Sequence, residues 1–187
     1  PLPTRTRNAL ATWDEMRSEP WRVSWTDERA TIVRARELCA RMIGATPGEI
    51  ALMVNTTYGI NVAANTIPLR EGDVIVTPDR EFPANVYPWM ALAKRRGLTY
   101  RRVPYINGLA DEDSLVRALD EPNVRILSVS WVSFETGLKL DLERLGAECK
   151  KRGIYFVVGA IQEVGATAVN VSDCHIEPAH EKDAGTC

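Results

Sequence analysis

The chain has 187 residues, 45% hydrophobic and 26% charged, the balance of an ordinary soluble globular protein with one good-sized core. A net charge of −2 gives no basic footprint and argues against nucleic acid as the main partner. No apolar run reaches the length of a membrane span, and no secretory signal pattern opens the chain. Cys39, Cys149, Cys174 and Cys187 lie far apart and histidines number only two, which argues against a zinc site and suits reduced thiols in a cytoplasmic protein.

Residues 1–46 read as a helical segment. Helical patterns cover 4–17 and 27–43, the second closing at Gly44, and Trp13, Trp21 and Trp25 are expected to pack the two helices together. Cys39 is expected to pack as a small hydrophobe. A core region, 47–177, then alternates strands and helices. Residues 49–54 look like a short buried strand, and 60–69 like a helix ending at Glu71-Gly72. Residues 73–77 are a strand, followed by a loop through Pro83 and a helix over 84–96. Lys94, Arg95 and Arg96 sit where a helix C-terminus favours cations, just before Gly97. A strand over 98–103 precedes a helix opened by Asp111, Glu112 and Asp113, acidic as the dipole prefers. Strand 124–130, helix 142–152 closed by Gly153, and strand 154–158 complete the pattern. Strands separated by helices of this length imply right-handed βαβ crossovers, hence an α/β fold of three layers, α/β/α, with a mostly parallel sheet. Ligands in such sheets bind just past the strand C-terminal ends.

Three segments fall there. The first is Asn55-Thr56-Thr57-Tyr58-Gly59-Ile60-Asn61, at a strand-to-helix turn. A helix start offers free N–H donors and a partial positive charge, and the Thr56 and Thr57 hydroxyls could add donors for a phosphate. Asn and Thr are equally the residues of an ordinary N-cap, and both possibilities stand. The second segment runs from Glu81-Phe82-Pro83 to Trp89, and the third from Phe156 through Gly159 and Gln162 to Ala166.

In this order and spacing the three segments resemble the large domain of class V aminotransferases, pyridoxal-phosphate enzymes of fold type I that include cysteine desulfurases and isopenicillin-N-epimerase-like proteins. Glu81-Phe82-Pro83 and Trp131-Val132-Ser133-Phe134-Glu135-Thr136-Gly137 are most similar to the latter subgroup. The resemblance covers roughly residues 1–177 and implies an incomplete large domain, a pyridoxal 5′-phosphate cofactor, an amino-acid substrate, and a homodimer in full-length relatives. It assigns the cofactor phosphate to Thr57 and the N–H groups of Thr56, Thr57 and Tyr58. Phe82 would stack on the pyridine ring, its alternative being core packing, and Gln162 would meet the ring oxygen, its alternative being a solvated helix start. Two departures follow. Gly159 stands where the family has an Asp that pairs with the ring nitrogen. After Glu177 nothing matches the family's His-Lys-Trp, so no catalytic residue is assigned; Lys182, two residues after His180, reads as an exposed lysine in an atypical tail, 178–187. The start also looks clipped. The expectation is therefore an impaired, truncated enzyme of transamination, lyase or epimerase type, or a non-catalytic remnant that binds a phosphorylated ligand or a partner. A Rossmann-type nucleotide enzyme is set aside, because no GxGxxG occurs.

Overall fold

The computed structural model describes residues 2–176; the 178–187 tail, with His180 and Lys182, lies outside the described residues. Two helices, α1 (Thr4–Ser18) and α2 (Trp25–Ile43), precede α3 (Thr56–Thr66). Then come β1 (Val74–Pro78), α4 (Tyr87–Arg96), β2 (Thr99–Val103), α5 (Glu112–Ala118), β3 (Val124–Ser130), α6 (Leu142–Lys151) and β4 (Tyr155–Gly159).

The four strands form one parallel sheet in the order β2-β1-β3-β4. Alternation along the strands sends Ile75 and Ile126 to one face, where they pack with Ile60 and Ala64 of α3 and with Trp89 and Leu92 of α4. Val76, Leu127 and Val129 pack on the other face with Leu115 of α5 and with Leu145 and Cys149 of α6. Helices on both faces make the three layers that the alternating pattern predicts, and explain why apolar residues of β1 and β3 are buried on both faces. Each fully buried Leu, Ile or Val contributes about 1.5–3 kcal/mol relative to exposure. Within β4 no residue is fully buried, because the strand lies at a sheet edge among the described residues.

Several expectations are corrected. Residues 49–54 form no strand: Glu49 ends the 3-10 turn Pro47–Glu49, no described strand lies beside 50–54, and Leu52, Met53 and Val54 are exposed. Helix α3 ends at Thr66, not Leu69: Ile67 precedes Pro68, whose ring pushes it out of the helical region, to φ −64 and ψ 127. Helix α4 begins at Tyr87 after a separate 3-10 turn, Pro83–Asn85. Pro88 has no N–H to donate back to Ala84, so the turn cannot run on as one α-helix. Trp21 and Trp25 do not pack the N-terminal helices together, being 81% and 75% exposed. A short 3-10 turn, Pro20–Arg22, separates α1 from α2, and α1 buries no residue at all. Cys39 is half-buried and free.

Helix α2 buries only Ala40, and its end is tied to the far end of the chain. Gly44 takes the left-handed conformation, φ 70, and a Cβ there would stand 2.8 Å from the Asn170 side chain. The Val171 N–H donates to the Ile43 carbonyl at 2.9 Å, closing a clasp between α2 and the segment that follows β4.

Candidate functional site

At the start of α3, Asn55 is fully extended and its Oδ1 accepts the Tyr58 N–H at 2.8 Å. This is an N-cap, so the Tyr58 N–H expected to face a phosphate is already used. The N–H groups of Thr56 and Thr57, first in the helix, have no intrahelical acceptor, and their hydroxyls make no hydrogen bond among the described residues. Asn55 therefore caps the helix by satisfying the third donor, and the first two have no partner among the described residues. Helix α3 packs on β4 and on the Pro83–Asn85 turn, which brings the first segment to the other two.

Past β1, the chain turns through Arg80, a non-glycine residue at φ 57, whose guanidinium pairs with Glu135 and lies 5.7 Å from the Tyr105 ring. Burial raises the Tyr105 phenol above its usual pKa, against the lowering effect of its bond with Ser133. The Glu81 carboxylate accepts the Ser130 N–H at 2.7 Å and the Ser130 hydroxyl as well. Phe82 is 47% exposed, which overturns core packing as its role, and meets Phe134 edge-to-face with centroids 5.2 Å apart at 78°. Asn85 anchors the turn behind it: its Oδ1 accepts from Trp89 Nε1 at 3.1 Å and from Ser128 Oγ at 2.5 Å. All three residues are buried, so removing one partner would cost about 1–3 kcal/mol for the polar group left behind. Sequence reasoning gave no role to Asn85, Ser128, Glu81 or Ser130. The usable signal was Ser128 and Ser130 alternating with Leu127 and Val129 in the strand, both serines on the α3/α4 face.

At the end of β4, Gly159 pairs in register with Ser130. A Cβ added at 159 would meet Ser130 Oγ and the Val129 carbonyl at 3.8 Å, ordinary contact, and Gly159 is not among the left-handed glycines. Neither space nor backbone shape requires glycine here. Gln162 stands in a turn, not a helix start; it is exposed and makes no hydrogen bond among the described residues. Beside it, Glu163 is held by the Thr167 hydroxyl and by Lys139 at 3.0 Å, which lower its pKa. Lys139 in turn lies 4.8 Å from the Trp131 ring.

The profile of the family "Aminotransferase class-V" matches residues 24–178. The chain belongs to this family. It is 32% identical to a probable cysteine desulfurase of Methanothermobacter thermautotrophicus, over 84% of this chain and 40% of that protein. It is also 32% identical to an isopenicillin N epimerase of Amycolatopsis lactamdurans, over 74% of this chain and 36% of that one. Among solved structures, an apo cysteine desulfurase of Thermococcus onnurineus matches with a TM-score of 0.70 and 31% identity, covering 77% of this chain and 36% of that chain. The cystine C-S lyase C-DES shares the fold, with a TM-score of 0.81 at 24% identity over 94% of this chain and 49% of its own. The chain thus spans about 40% of the length of the curated relatives it matches.

Class V aminotransferases depend on pyridoxal phosphate. The donor set in this member fits that group at three points: two free N–H groups with two hydroxyls, one half-exposed aromatic ring on an anchored turn, and one free amide. At the fourth, residue 159, there is no side chain.

Proposed function

We propose that this chain is the phosphate- and ring-binding part of a class V enzyme acting on an amino acid, with transamination, desulfuration, lyase or epimerase chemistry in the complete catalyst. Thr56 and Thr57 bind the phosphate, Phe82 covers one face of the ring, and Gln162 donates to the ring oxygen. The observation that carries this assignment is the convergence of unpartnered donors and one exposed ring at the same end of the sheet. Pyridoxal phosphate supplies an electron-withdrawing ring that stabilises negative charge on the substrate α-carbon. Phe82 limits ring motion, and the α3 dipole holds the phosphate so that the ring is oriented before substrate arrives. Gly159, where the family has an Asp, would supply no charge to favour a protonated ring nitrogen, and turnover would be slow.

Gly159 also supports a second reading, a non-catalytic protein that retains the phosphorylated ligand. Free Cys39, Cys149 and Cys174 favour a reducing, cytoplasmic setting, and the exposed Trp21, Trp25 and Val54 favour a homodimer. The deciding experiment is a calorimetric titration of the chain with pyridoxal phosphate, repeated with Thr57→Ala and with inorganic phosphate as competitor. Saturable binding that phosphate competes away and that weakens about tenfold in the variant supports the site. An absence of saturable binding refutes it. Amino-acid turnover by the loaded chain would favour the enzyme over the binding protein.

A further inference from the structure

The C-terminal end of the sheet holds several charges, and among the described residues most are paired: Lys139 with Glu163 at 3.0 Å lies nearest Gly159, and the Arg102 pair stands at the opposite edge, on β2. Arg80 is paired with Glu135, and Arg102 with Asp79 at 3.2 Å. Glu81 has no cationic partner among the described residues. Its half-buried carboxylate is held only by two neutral donors, the N–H and hydroxyl of Ser130. Ser130 is the register partner of Gly159, and its Oγ lies 3.8 Å from where a Cβ at 159 would stand. With one hydrogen bond of ordinary length added, the Glu81 carboxylate falls within about 6.5 Å of that point. Its charge acts on both tyrosines of this end: burial raises Tyr100 and Tyr105 first, and Glu81 raises each further.

We propose that Glu81, locked by Ser130, supplies the negative charge at the ring-nitrogen end of the cofactor site, the duty that the family resemblance gives to residue 159. The role presupposes the site proposed above. It is electrostatic: Ser130 fixes the carboxylate, the neighbouring ion pairs cancel one another, and the remaining charge favours a protonated nitrogen on a ring seated against Phe82. A ring nitrogen without any such charge would lose its proton more readily.

The test uses pyridoxine 5′-phosphate, which has the same phosphate, ring oxygen and ring nitrogen but no aldehyde to react with lysines. Its ultraviolet spectrum reports ring-nitrogen protonation in the bound state. Glu81→Gln keeps one acceptor for the Ser130 N–H, offers the Ser130 hydroxyl an amide N–H to accept in place of the second oxygen, and removes the charge, so a merely structural Glu81 would leave the titration unmoved. The expected result is a bound ring nitrogen that titrates about one pKa unit lower in Glu81→Gln than in the wild type, after allowance for solvent screening. Glu81→Asp, which restores the charge, should recover most of that difference. Identical titration in wild type and Glu81→Gln, with both binding the probe, overturns the inference and leaves the cofactor site standing. No saturable binding by the wild type overturns both. If Glu81→Gln does not fold, judged by thermal melting, Ser130→Ala decides: freeing the carboxylate should lower the titration, and no change overturns the inference.

Discussion

Gly159→Asp would restore the carboxylate that the family resemblance expects, and the structure says it can be accommodated. The added Cβ has 3.8 Å to its nearest neighbours and the backbone is not left-handed, so no rearrangement precedes the charge effect. In the ligand-free protein the new carboxylate faces Glu81 across Ser130. With the Glu81 carboxylate within about 6.5 Å of the added Cβ, two like charges at that separation and an effective dielectric of 20 repel by about 2.5 kcal/mol, which solvent screening at this half-open end reduces to about 1 kcal/mol. Replacing a strand glycine returns about 0.5–1 kcal/mol of conformational entropy. The free variant should therefore be close to the wild type in stability, with a slightly lower melting temperature at low salt. Binding of a ring with a protonated nitrogen relieves the repulsion. Pyridoxine 5′-phosphate should consequently bind about tenfold tighter, a gain of about 1.4 kcal/mol that shrinks as salt rises. Calorimetric titration at two ionic strengths measures it. A folded variant with unchanged or weaker affinity would mean that the ring nitrogen does not lie against residue 159.

Four other outcomes follow from the packing and the charges. A Cβ at Gly146 would stand 1.9 Å from the Cys174 carbonyl oxygen, so Gly146→Ala should destabilise by about 1–3 kcal/mol in urea unfolding despite its better helix propensity, and an unchanged midpoint would contradict the close approach of α6 to residue 174. Burial pushes the Cys149 thiol up to about 12, and alkylation of the native protein should modify Cys39 well before Cys149; equal rates would refute its burial. Hydrogen bonds from Lys151 and then Arg152 depress Glu148 to about 2, below its ordinary value of 4.5. Its stabilisation is complete above the unfolded value and is lost as pH falls towards about 2, so Glu148→Gln should flatten the acid limb of the urea midpoint over that window, and an unaltered limb would count against the pair. With β2 and β4 at the sheet edges among the described residues and Trp21, Trp25 and Val54 exposed, sedimentation should show concentration-dependent association of the isolated chain, and a monodisperse monomer would contradict this.

The layered fold was legible because its signals are local. Apolar runs bounded by Gly97 and Gly153, and acidic first turns such as Asp111 to Asp113, mark element ends without knowledge of what packs on them. Residues 51–54 misled because an apolar run becomes a strand only beside a partner, and sequence does not say whether one is present. Pro68 and Pro88 carried readable information that apolar periodicity overrode. At the site, the helix start was read from its position past an expected strand, and Phe82 was singled out by the family resemblance. The Glu81–Ser130 contact was not, since residues 49 apart meet only through the register of β1 against β3. The exposure of Trp21 and Trp25 runs against composition, in which tryptophan signals burial.

The clasp at Gly44 has a mechanical meaning. Helix α2 is 19 residues long, about 28 Å, and is held chiefly at its C-terminal end, where Val171 and Asn170 meet Ile43 and Gly44. The clasping segment is the same stretch of chain that carries Gln162 away from β4. A tilt of about 5° at the clasp would sweep the opposite tip through about 2 Å over that length. Trp25 sits at that tip, in the first residue of the helix and open to solvent. Trp25 and the loop beside the sheet thus stand at opposite ends of one helix, about 28 Å apart along its axis.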